Sequence, residues 1–476
     1  MGDVVATREF SMAGQQSFAR LSGDANPMHV DRVAARRTEP GEPIVHAIHA
    51  VLWALDVLCE RRIIVTAPTS IDARFTRFIY PETSVSLEVA ERTVDITRIA
   101  LSVDGQVAFA VALRFTPQAP RAKPPVAGTP IAIPQTPIIL DTKDMLGRSG
   151  LLPSMVDGRI VEEFPNAARV LGAERVKGLA ALSALVGMIV PGMHSIFSRF
   201  DVDLTDTSAK DGALKFEVRK VDDRFRIVDI AVEGSGLSGS AYAFARKPPV
   251  QQRSVRDLAG LVRGDEFAAT HALIVGGSRG LGAATAKIIA AGGGRVTITH
   301  LVGEIEAQEM NSEVGASSCT VRRFDVRDDP ATQLNGLAWD FDQVYYFATP
   351  QLRRQKGAPF ETGRFEELFK VQVLGFQRLC ELLRARTKGP LTIFYPSSTA
   401  LDGETRGLEE VSKSKAAGET LSAEMNDEWR EAHIVVRRLP AVLTDQTAAV
   451  KPAKLLDAVD VMLPIVREMV RGSTST

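Results

Sequence analysis

The sequence predicts a duplicated α+β unit followed by an α/β unit with a doubly wound parallel sheet. Three observations lead to this prediction. Residues 1–116 and 138–246 each contain one long apolar helix followed by several strand-like segments. From residue 255 to 476, apolar strands alternate with helices, which is typical of a parallel sheet. Prolines are concentrated in residues 117–137 and 247–254, where we therefore expect linkers.

The first two blocks follow the same order of elements. In the first block a helix is predicted over 44–60, and strands over 69–80, 84–93, 96–105 and 106–115. In the second, the helix covers 176–190, and strands cover 194–204, 213–222, 226–234 and 239–247. The string SIDARFTRF of the first block also resembles SIFSRFDVD of the second. Because one unit alone would leave a long sheet edge exposed, we expect the two units to pair into one sheet.

Composition excludes several classes of protein. The 476 residues carry 57 basic and 58 acidic side chains, a balance that argues against binding to nucleic acid or to an anionic membrane surface. Three widely separated cysteines fit neither a disulfide framework nor a zinc site, and this favours a reducing compartment. The polar N-terminus and the lack of a long apolar run predict neither a signal peptide nor a membrane span. We therefore expect a cytoplasmic multidomain enzyme.

The string LSGDANPMHVD, residues 21–31, places two titratable groups around a stiff turn. Asp24 and His29 lie on either side of Pro27, which restricts its own φ and disfavours helical geometry for Asn26. A carboxylate and an imidazole directed at one water molecule form a general acid/base pair. Taken alone, the string also fits ordinary turn residues, with His29 near the end of a helix.

Together with EPIVHAIHA, residues 42–50, this string resembles the signature of the MaoC-like (R)-specific enoyl-CoA hydratases, which have the hotdog fold. The resemblance implies that Asp24 and His29 activate the water that adds to a trans-2-enoyl thioester. It also implies that the backbone N–H of Ala47, where the family has Gly, polarises the thioester carbonyl. Asn26 and His46 are implied at the substrate pocket. We expect no metal, because no carboxylate or Cys stands at ligand spacing from His46.

The second block lacks this pair of residues. Its corresponding segment, EEFPNAARVLGA over 162–173, has neither the Asp nor the His. The resemblance therefore implies a double hotdog in which this half is catalytically silent and accommodates the acyl chain. The small residues Gly178, Ala181, Ala184 and Gly187 leave room for such a chain, or simply allow close packing onto the sheet. The substrate implied is an acyl-CoA or an acyl-ACP, and we expect a homodimer.

In the third block, ALIVGGSRGLG runs from a predicted strand through a glycine-rich turn into a helix, the context that supports dinucleotide binding. The string resembles TGGSRGIG of the short-chain dehydrogenase/reductases (SDRs), which have a Rossmann fold, and the likeness extends over the whole block. The resemblance implies cofactor contacts from Gly276, Ser278, Arg279, Gly280, Leu281, Gly282, Asp325 and Lys415. The strand RVTITH ends without an acidic residue, and Arg279 is placed to meet a 2′-phosphate. Both features favour NADP(H) over NAD(H).

The catalytic pattern of the SDRs is incomplete here. The family's Ser, Tyr and Lys correspond to Ser398, Val411 and Lys415, and no Tyr occurs after Tyr395. The family's Asn corresponds to Gln372. Since valine has no proton to transfer, ordinary ketone reduction is expected to be lost or very slow.

These observations predict an (R)-specific enoyl-thioester hydratase, or 3-hydroxyacyl-thioester dehydratase, joined to a degenerate NADP-binding SDR domain. The hydration itself is expected to need no cofactor. Two alternatives remain open. One is a bifunctional dehydratase and NADPH-dependent 3-ketoacyl-thioester reductase, and the other is a non-catalytic acyl-binding or assembly protein.

Overall fold

In a computed structural model, the chain divides into two compact units, one up to Pro248 and the other essentially from Pro249 onwards. The structure describes residues 2–116, 125, 128–153, 157–206, 212–350, 360–387, 389–403, 407–429, 432–445, 447 and 455–473. Most of the first half of the predicted linker over 117–137 therefore lies outside the described residues.

The described part of the first unit contains one ten-stranded antiparallel sheet. Its strands are β1 (Asp3–Glu9), β2 (Ser70–Phe75), β3 (Ser84–Arg92), β4 (Ile96–Val103), β5 (Gln106–Arg114), β6 (Ser149–Leu152), β7 (Ser195–Leu204), β8 (Leu214–Asp222), β9 (Ile227–Gly234) and β10 (Leu237–Ala245). The strand order is β1-β3-β4-β5-β2-β7-β10-β9-β8-β6. Read inward from each edge, the two halves thus have the same order of corresponding strands. They join where β2 pairs with β7, with Ala73 opposite Phe200, so the related strings SIDARF and SIFSRFDVD are neighbours in the sheet.

The first unit also contains α1 (Met12–Ser22), α2 (Pro27–Val30), α3 (Arg32–Ala35), α4 (Ala47–Glu60), α5 (Ile160–Glu163), α6 (Pro165–Leu171) and α7 (Ala173–Ala184). A π-helical turn, Leu185–Ile189, continues α7. Helix α4 is apolar on nearly all sides and almost entirely buried, as expected for a central helix. It packs against α6 and α7. Helix α4 begins three residues later than predicted, because Ile44 and Val45 donate backbone hydrogen bonds to Met28 and Ile79 instead.

Two outer strands of this sheet were not predicted. Strand β1 has charged residues at both ends and β6 is only four residues long, so neither shows a clear apolar alternation. Beside β6, the N–H of Ile131 donates to the carbonyl of Leu151 at 2.9 Å, and Ile131 and Ile133 pack against the core. The end of the segment predicted as a linker thus belongs to the packed structure.

The described part of the second unit contains a six-stranded parallel sheet with the order β13-β12-β11-β14-β15-β16. Its strands are β11 (His271–Val275), β12 (Arg295–His300), β13 (Cys319–Arg323), β14 (Gln343–Tyr346), β15 (Leu391–Ser398) and β16 (Ala432–Leu439). Its helices are α8 (Gly280–Ala291), α9 (Glu304–Val314), α10 (Pro330–Gln333), α11 (Thr362–Phe369), α12 (Gly375–Arg386), α13 (Glu409–Glu428) and α14 (Ala458–Ser473). A π-helical turn, Lys370–Leu374, joins α11 to α12. The order reverses between β11 and β14, and ligands of such sheets bind at this reversal.

The antiparallel sheet of the first unit and the parallel sheet of the second fit the predicted hotdog and Rossmann classes. In the described part of the chain, none of the helices is both long enough and apolar enough to cross a membrane.

Candidate active site

The turn that carries Asp24 and His29 is held between two helices. Helix α1 ends at Gly23, whose φ of 79° is a left-handed conformation that glycine adopts without strain. Asn26 then caps α2, and its Oδ1 accepts a hydrogen bond from the N–H of Met28 at 3.1 Å. Since Pro27 begins α2 and His29 lies within it, the positions of Asp24 and His29 are set by local structure.

The structure brings Asp24, His29 and His46 together. One nitrogen or oxygen atom from each side chain lies within 4.8 Å of the others, and all three side chains are buried. His29 Nδ1 lies 2.7 Å from the carbonyl oxygen of Ile44, so it carries the proton and leaves Nε2 as an acceptor in the neutral ring. Such a carboxylate and imidazole can hold one water molecule between them and take its proton. The expectation of no metal stays a prediction.

Burial moves the pKa values of the two groups in opposite directions. It raises the pKa of Asp24, because the charged carboxylate loses its hydration. It lowers the pKa of His29, and the nearby Asp24 carboxylate opposes that shift. Near neutral pH, His29 is therefore a neutral base, while the affinity of Asp24 for a proton is higher than that of an exposed carboxylate.

The second half of the sheet contributes directly to this site. The hydroxyl of Ser183 on α7 donates to Asp24 Oδ2 at 2.6 Å. Gly187 lies so close to the carboxylate that a Cβ there would be 2.1 Å from Asp24 Oδ1. Asn26 Nδ2 donates to the carbonyl oxygens of Gly187 at 2.8 Å and Gly192 at 3.1 Å. The amide of Asn26, predicted at the substrate pocket, therefore ties the turn to the second half.

His46 supports the turn directly from the other side, and it is itself held by Gln15, a residue that the sequence did not indicate. The ring of His46 stacks on that of His29, with centroids 3.9 Å apart. Its Nε2 lies 3.0 Å from the Asp24 carbonyl oxygen, and its Nδ1 lies 2.8 Å from Gln15 Oε1. Gln15 Nε2 in turn faces Nδ1 of His49 at 3.1 Å, and burial lowers the pKa of His49 to about 3. His46 thus contacts Asp24, while His49 lies beyond Gln15.

Ala47 is the first residue of α4 and directly follows His46. The N–H groups of a first helical turn have no acceptor within the helix, and they carry the positive end of the helix dipole. Because His46 contacts Asp24, the start of α4 lies beside the pair of catalytic candidates. The role of the Ala47 N–H toward a bound carbonyl stays a prediction.

In the second unit, the glycine-rich turn is tightly folded. Gly276 and Gly280 have φ values of 78° and 59°. A Cβ on Gly282 would lie 2.3 Å from the carbonyl oxygen of Gly276, so the turn requires glycine there. Ser278 and Leu281 are partly exposed in the same segment. Arg279 directly precedes α8, and its side chain makes no capping hydrogen bond to the N-terminus of this helix. Such a helix start can bind phosphate.

Three of the side chains predicted to bind NADP(H), those of Asp325, Arg279 and Lys415, contact neighbouring protein groups. Asp325 accepts hydrogen bonds from Arg327 Nη2 at 2.6 Å and Nε at 2.9 Å. Arg279 Nη1 lies 3.8 Å from Asp445 Oδ2.

Lys415 Nζ donates to the carbonyl oxygen of Pro396 at 2.7 Å, and burial lowers the pKa of this amine to about 7. To contact Asp325, Arg279 or Lys415, a bound dinucleotide would have to compete with the protein groups that these side chains already contact.

The positions that correspond to SDR catalytic residues lie on adjacent elements. Ser398 ends β15, and its Oγ accepts from the N–H of Ala400 at 3.1 Å. Val411 is buried on α13, which packs against β15. Gln372 lies in the π-helical turn, and its Nε2 donates to Thr349 Oγ1 at 3.0 Å. The correspondence of Val411 to the proton donor of the SDRs stays a prediction.

Comparison with known proteins identifies both domains. Residues 3–108 match the family model of the MaoC like domain, and residues 270–454 match that of the short chain dehydrogenase. The chain therefore contains a MaoC-like domain followed by an SDR domain.

Similar solved structures include a short-chain dehydrogenase from Streptomyces avermitilis, with 18% identity, 44% of this chain and 84% of that chain covered, and a TM-score of 0.37. Another is a short chain dehydrogenase from Burkholderia cenocepacia J2315 in complex with NADP, with 20% identity, 43% and 91% covered, and a TM-score of 0.38. A dehydrogenase/reductase from Sinorhizobium meliloti 1021 has 20% identity, 44% and 90% covered, and a TM-score of 0.38. No curated protein matches the chain.

Proposed function

We propose that the chain catalyses the reversible hydration of a trans-2-enoyl thioester to an (R)-3-hydroxyacyl thioester, carried on CoA or on an acyl-carrier protein. The observation that carries this proposal is the pairing of Asp24 with His29 inside a domain that matches the MaoC-like family. The hydrogen bond from His29 Nδ1 to Ile44 supports it, because it leaves Nε2 free to accept a proton.

We assign the fold of residues 1–246 as a double hotdog. Two features support this assignment: the halves repeat one strand order around the β2–β7 junction, and each half carries one buried central helix. The ties from Asn26 and Ser183 to the opposite half explain why the site would need both halves.

The mechanism follows from the protonation states. A water molecule between Asp24 and His29 gives one proton to His29 Nε2, while its other O–H stays intact and donates a hydrogen bond to the Asp24 carboxylate. The water oxygen bonds to C3 of the enoyl group, and the C2–C3 π electrons move toward the thioester carbonyl. The Ala47 N–H stabilises the resulting oxyanion. His29 then delivers its proton to C2, so that the hydroxyl and the hydrogen of one water are both added and the base is restored.

We propose that the second unit binds NADP(H) without efficient reduction. The glycine turn and the open start of α8 fit a diphosphate, whereas Asp325 and Arg279 must exchange their protein partners to contact the nucleotide. A bound NADPH supplies hydride to a carbonyl. The carbonyl oxygen also needs a proton, and Val411 cannot donate one.

The test is to follow the loss of enoyl absorbance with crotonyl-CoA and longer enoyl-CoAs, with and without NADPH, and to determine the configuration of the product. We expect (R)-hydration that does not require NADPH. A folded protein that binds acyl-CoA but hydrates no chain length would support the non-catalytic alternative. Fast NADPH oxidation with a 3-ketoacyl thioester would instead favour the bifunctional enzyme.

A further inference from the structure

The second half of the first unit, residues 138–246, carries no counterpart of the Asp24–His29 pair. One of its helical side chains nevertheless makes the shortest hydrogen bond to Asp24 among the described residues. The Oγ of Ser183 lies 2.6 Å from Asp24 Oδ2, across 159 residues of sequence. Ser183 is 4% exposed and Asp24 is 2% exposed, so water does not compete effectively for this contact. An O–H···O distance near 2.6 Å is typical of a hydroxyl donating to an ionised carboxylate.

Other groups around Asp24 also favour its negative charge, and the largest of these contributions comes from the nearby His29, ahead of the Ser183 hydroxyl. On its own turn, the N–H of Asn26 donates to Oδ1 at 3.3 Å. Helix α2 contributes His29, and α4 contributes His46, whose Nε2 is 3.9 Å from Oδ2. The π-helical turn after α7 contributes Gly187, which has no charge. Burial opposes ionisation of the carboxylate, so a donor from α7 has a large effect on it.

We propose that Ser183 is a positioning residue of the hydration site, through which the second half orients the Asp24 carboxylate and keeps it ionised. This inference rests on the proposed function for its catalytic meaning, but the contact itself does not depend on that function. Loss of the hydroxyl removes the donor and leaves the ionised oxygen in a buried position. The Asp24 pKa must then rise, and the carboxylate loses the group that sets its rotamer.

The decisive measurement is the titration of Asp24 by carbon NMR of ¹³C-labelled aspartate carboxyls, with Asp24→Asn identifying the resonance. We expect Ser183→Ala to raise the Asp24 pKa by about one to two units, the range for a hydrogen bond to a charged group. Ser183→Thr, which keeps the hydroxyl, should stay close to wild type. The control is Ser198→Ala, which removes a hydroxyl that donates to the Tyr242 carbonyl in the same half. An unchanged or lower Asp24 pKa in folded Ser183→Ala overturns the proposal.

A second readout connects the contact to catalysis. In Ser183→Ala, the acidic limb of kcat/KM for hydration should move to higher pH by the same amount as the Asp24 pKa, and Ser198→Ala should leave it in place. A loss of rate without any movement of the limb means that Ser183 acts only structurally, and the proposal fails. If the wild-type protein hydrates nothing, the proposed function fails, and the NMR titration still decides whether Ser183 controls Asp24.

Discussion

The two sites of this chain differ in what their polar side chains contact. In the MaoC-like domain, atoms of Asp24, His29 and His46 lie within 4.8 Å of each other, and surrounding groups hold them there. In the SDR domain, Asp325 and Arg279 are each close to a neighbouring side chain of opposite charge, and Lys415 donates to a backbone carbonyl. The first site brings a carboxylate and two imidazoles together, whereas the predicted cofactor side chains of the second contact single protein groups.

A sequence motif can therefore reflect either side chains that the fold brings together or only the shape of a backbone turn. The Asp24 turn is held through atoms that the proposed chemistry does not use, such as His29 Nδ1 on Ile44 and the Asn26 amide on Gly187. The side chains of Asp24 and His29 then lie with one atom of each within 4.8 Å of the other. In the SDR domain the glycine turn keeps its shape, with positive φ values at Gly276 and Gly280. That shape depends on glycines and not on the residue at position 411, so the loss of reductase chemistry stays a prediction.

The largest expected effect is on the Asp24–His29 pair. Asp24→Asn and His29→Ala should each reduce kcat/KM for enoyl-CoA hydration by about 10²- to 10⁴-fold, the usual contribution of general acid/base groups. The double variant should be little worse than either single variant, because the residues act as a unit. Asp31→Asn is the matched control, since the Asp31 side chain accepts hydrogen bonds from the N–H groups of Val33 and Ala34 at the start of α3. Near-wild-type rates in a folded Asp24 or His29 variant would remove the hydratase assignment from this site.

A second experiment asks whether one residue explains the expected silence of the SDR domain. Val411→Tyr places a phenol one helical turn before Lys415, and a cationic Lys415 would lower the pKa of that phenol. We expect measurable NADPH-dependent reduction of an acetoacetyl thioester, although overpacking costs about 1–3 kcal/mol of stability. Val411→Phe, of similar size but without a hydroxyl, is the control.

If the folded Val411→Tyr variant binds NADPH and reduces nothing, the loss extends beyond this position. Gln372, held on Thr349, would be the next residue to change. Strong reduction by the wild-type protein would contradict the comparison between the two sites.

The sequence was most informative where structure is local. Strand β12 has the bounds of the predicted strand RVTITH, because its Val, Thr and Ile side chains favour extended backbone. The proximity of Asp24 and His29 was also predictable, since one proline turn separates them. Ser183 and Gln15 were not, because their contacts to the site span 159 and 31 residues and depend on how helices pack. The partner of Arg279 is Asp445, which is distant in the sequence and comes close only through tertiary structure. The partner of Asp325 is the half-exposed Arg327, whose contact the sequence does not indicate.

A third prediction concerns the nucleotide preference of the SDR domain. NADPH should bind more tightly than NADH, and Arg279→Ala should remove most of that preference. Because Asp445 lies 3.8 Å from the Arg279 guanidinium, Asp445→Asn should release Arg279 and tighten NADPH binding more than NADH binding. Calorimetric titration of the three proteins measures both constants. If neither nucleotide binds at millimolar concentration, the domain serves as a scaffold only.

The smallest expected effects are on stability, and they should have opposite signs in the two domains. Burial raises the folded-state pKa of Asp24 above its unfolded value, so the carboxylate destabilises the fold at pH values above the folded pKa. Asp24→Asn should therefore stabilise the first unit at neutral pH, by about 1.4 kcal/mol for each unit of raised pKa, and the gain should disappear below the unfolded pKa.

Arg327 lowers the pKa of Asp325, so that carboxylate contributes stability above its unfolded pKa and loses it as the pH falls through the folded pKa. Asp325→Asn should destabilise the second unit at neutral pH, by less than about 1 kcal/mol because Arg327 is half exposed. Hydrogen exchange of amides in α4 and β11 measures each unit separately. If Asp24→Asn instead destabilises α4 at neutral pH, burial of the ionised Asp24 carboxylate does not carry the energetic cost on which this prediction rests.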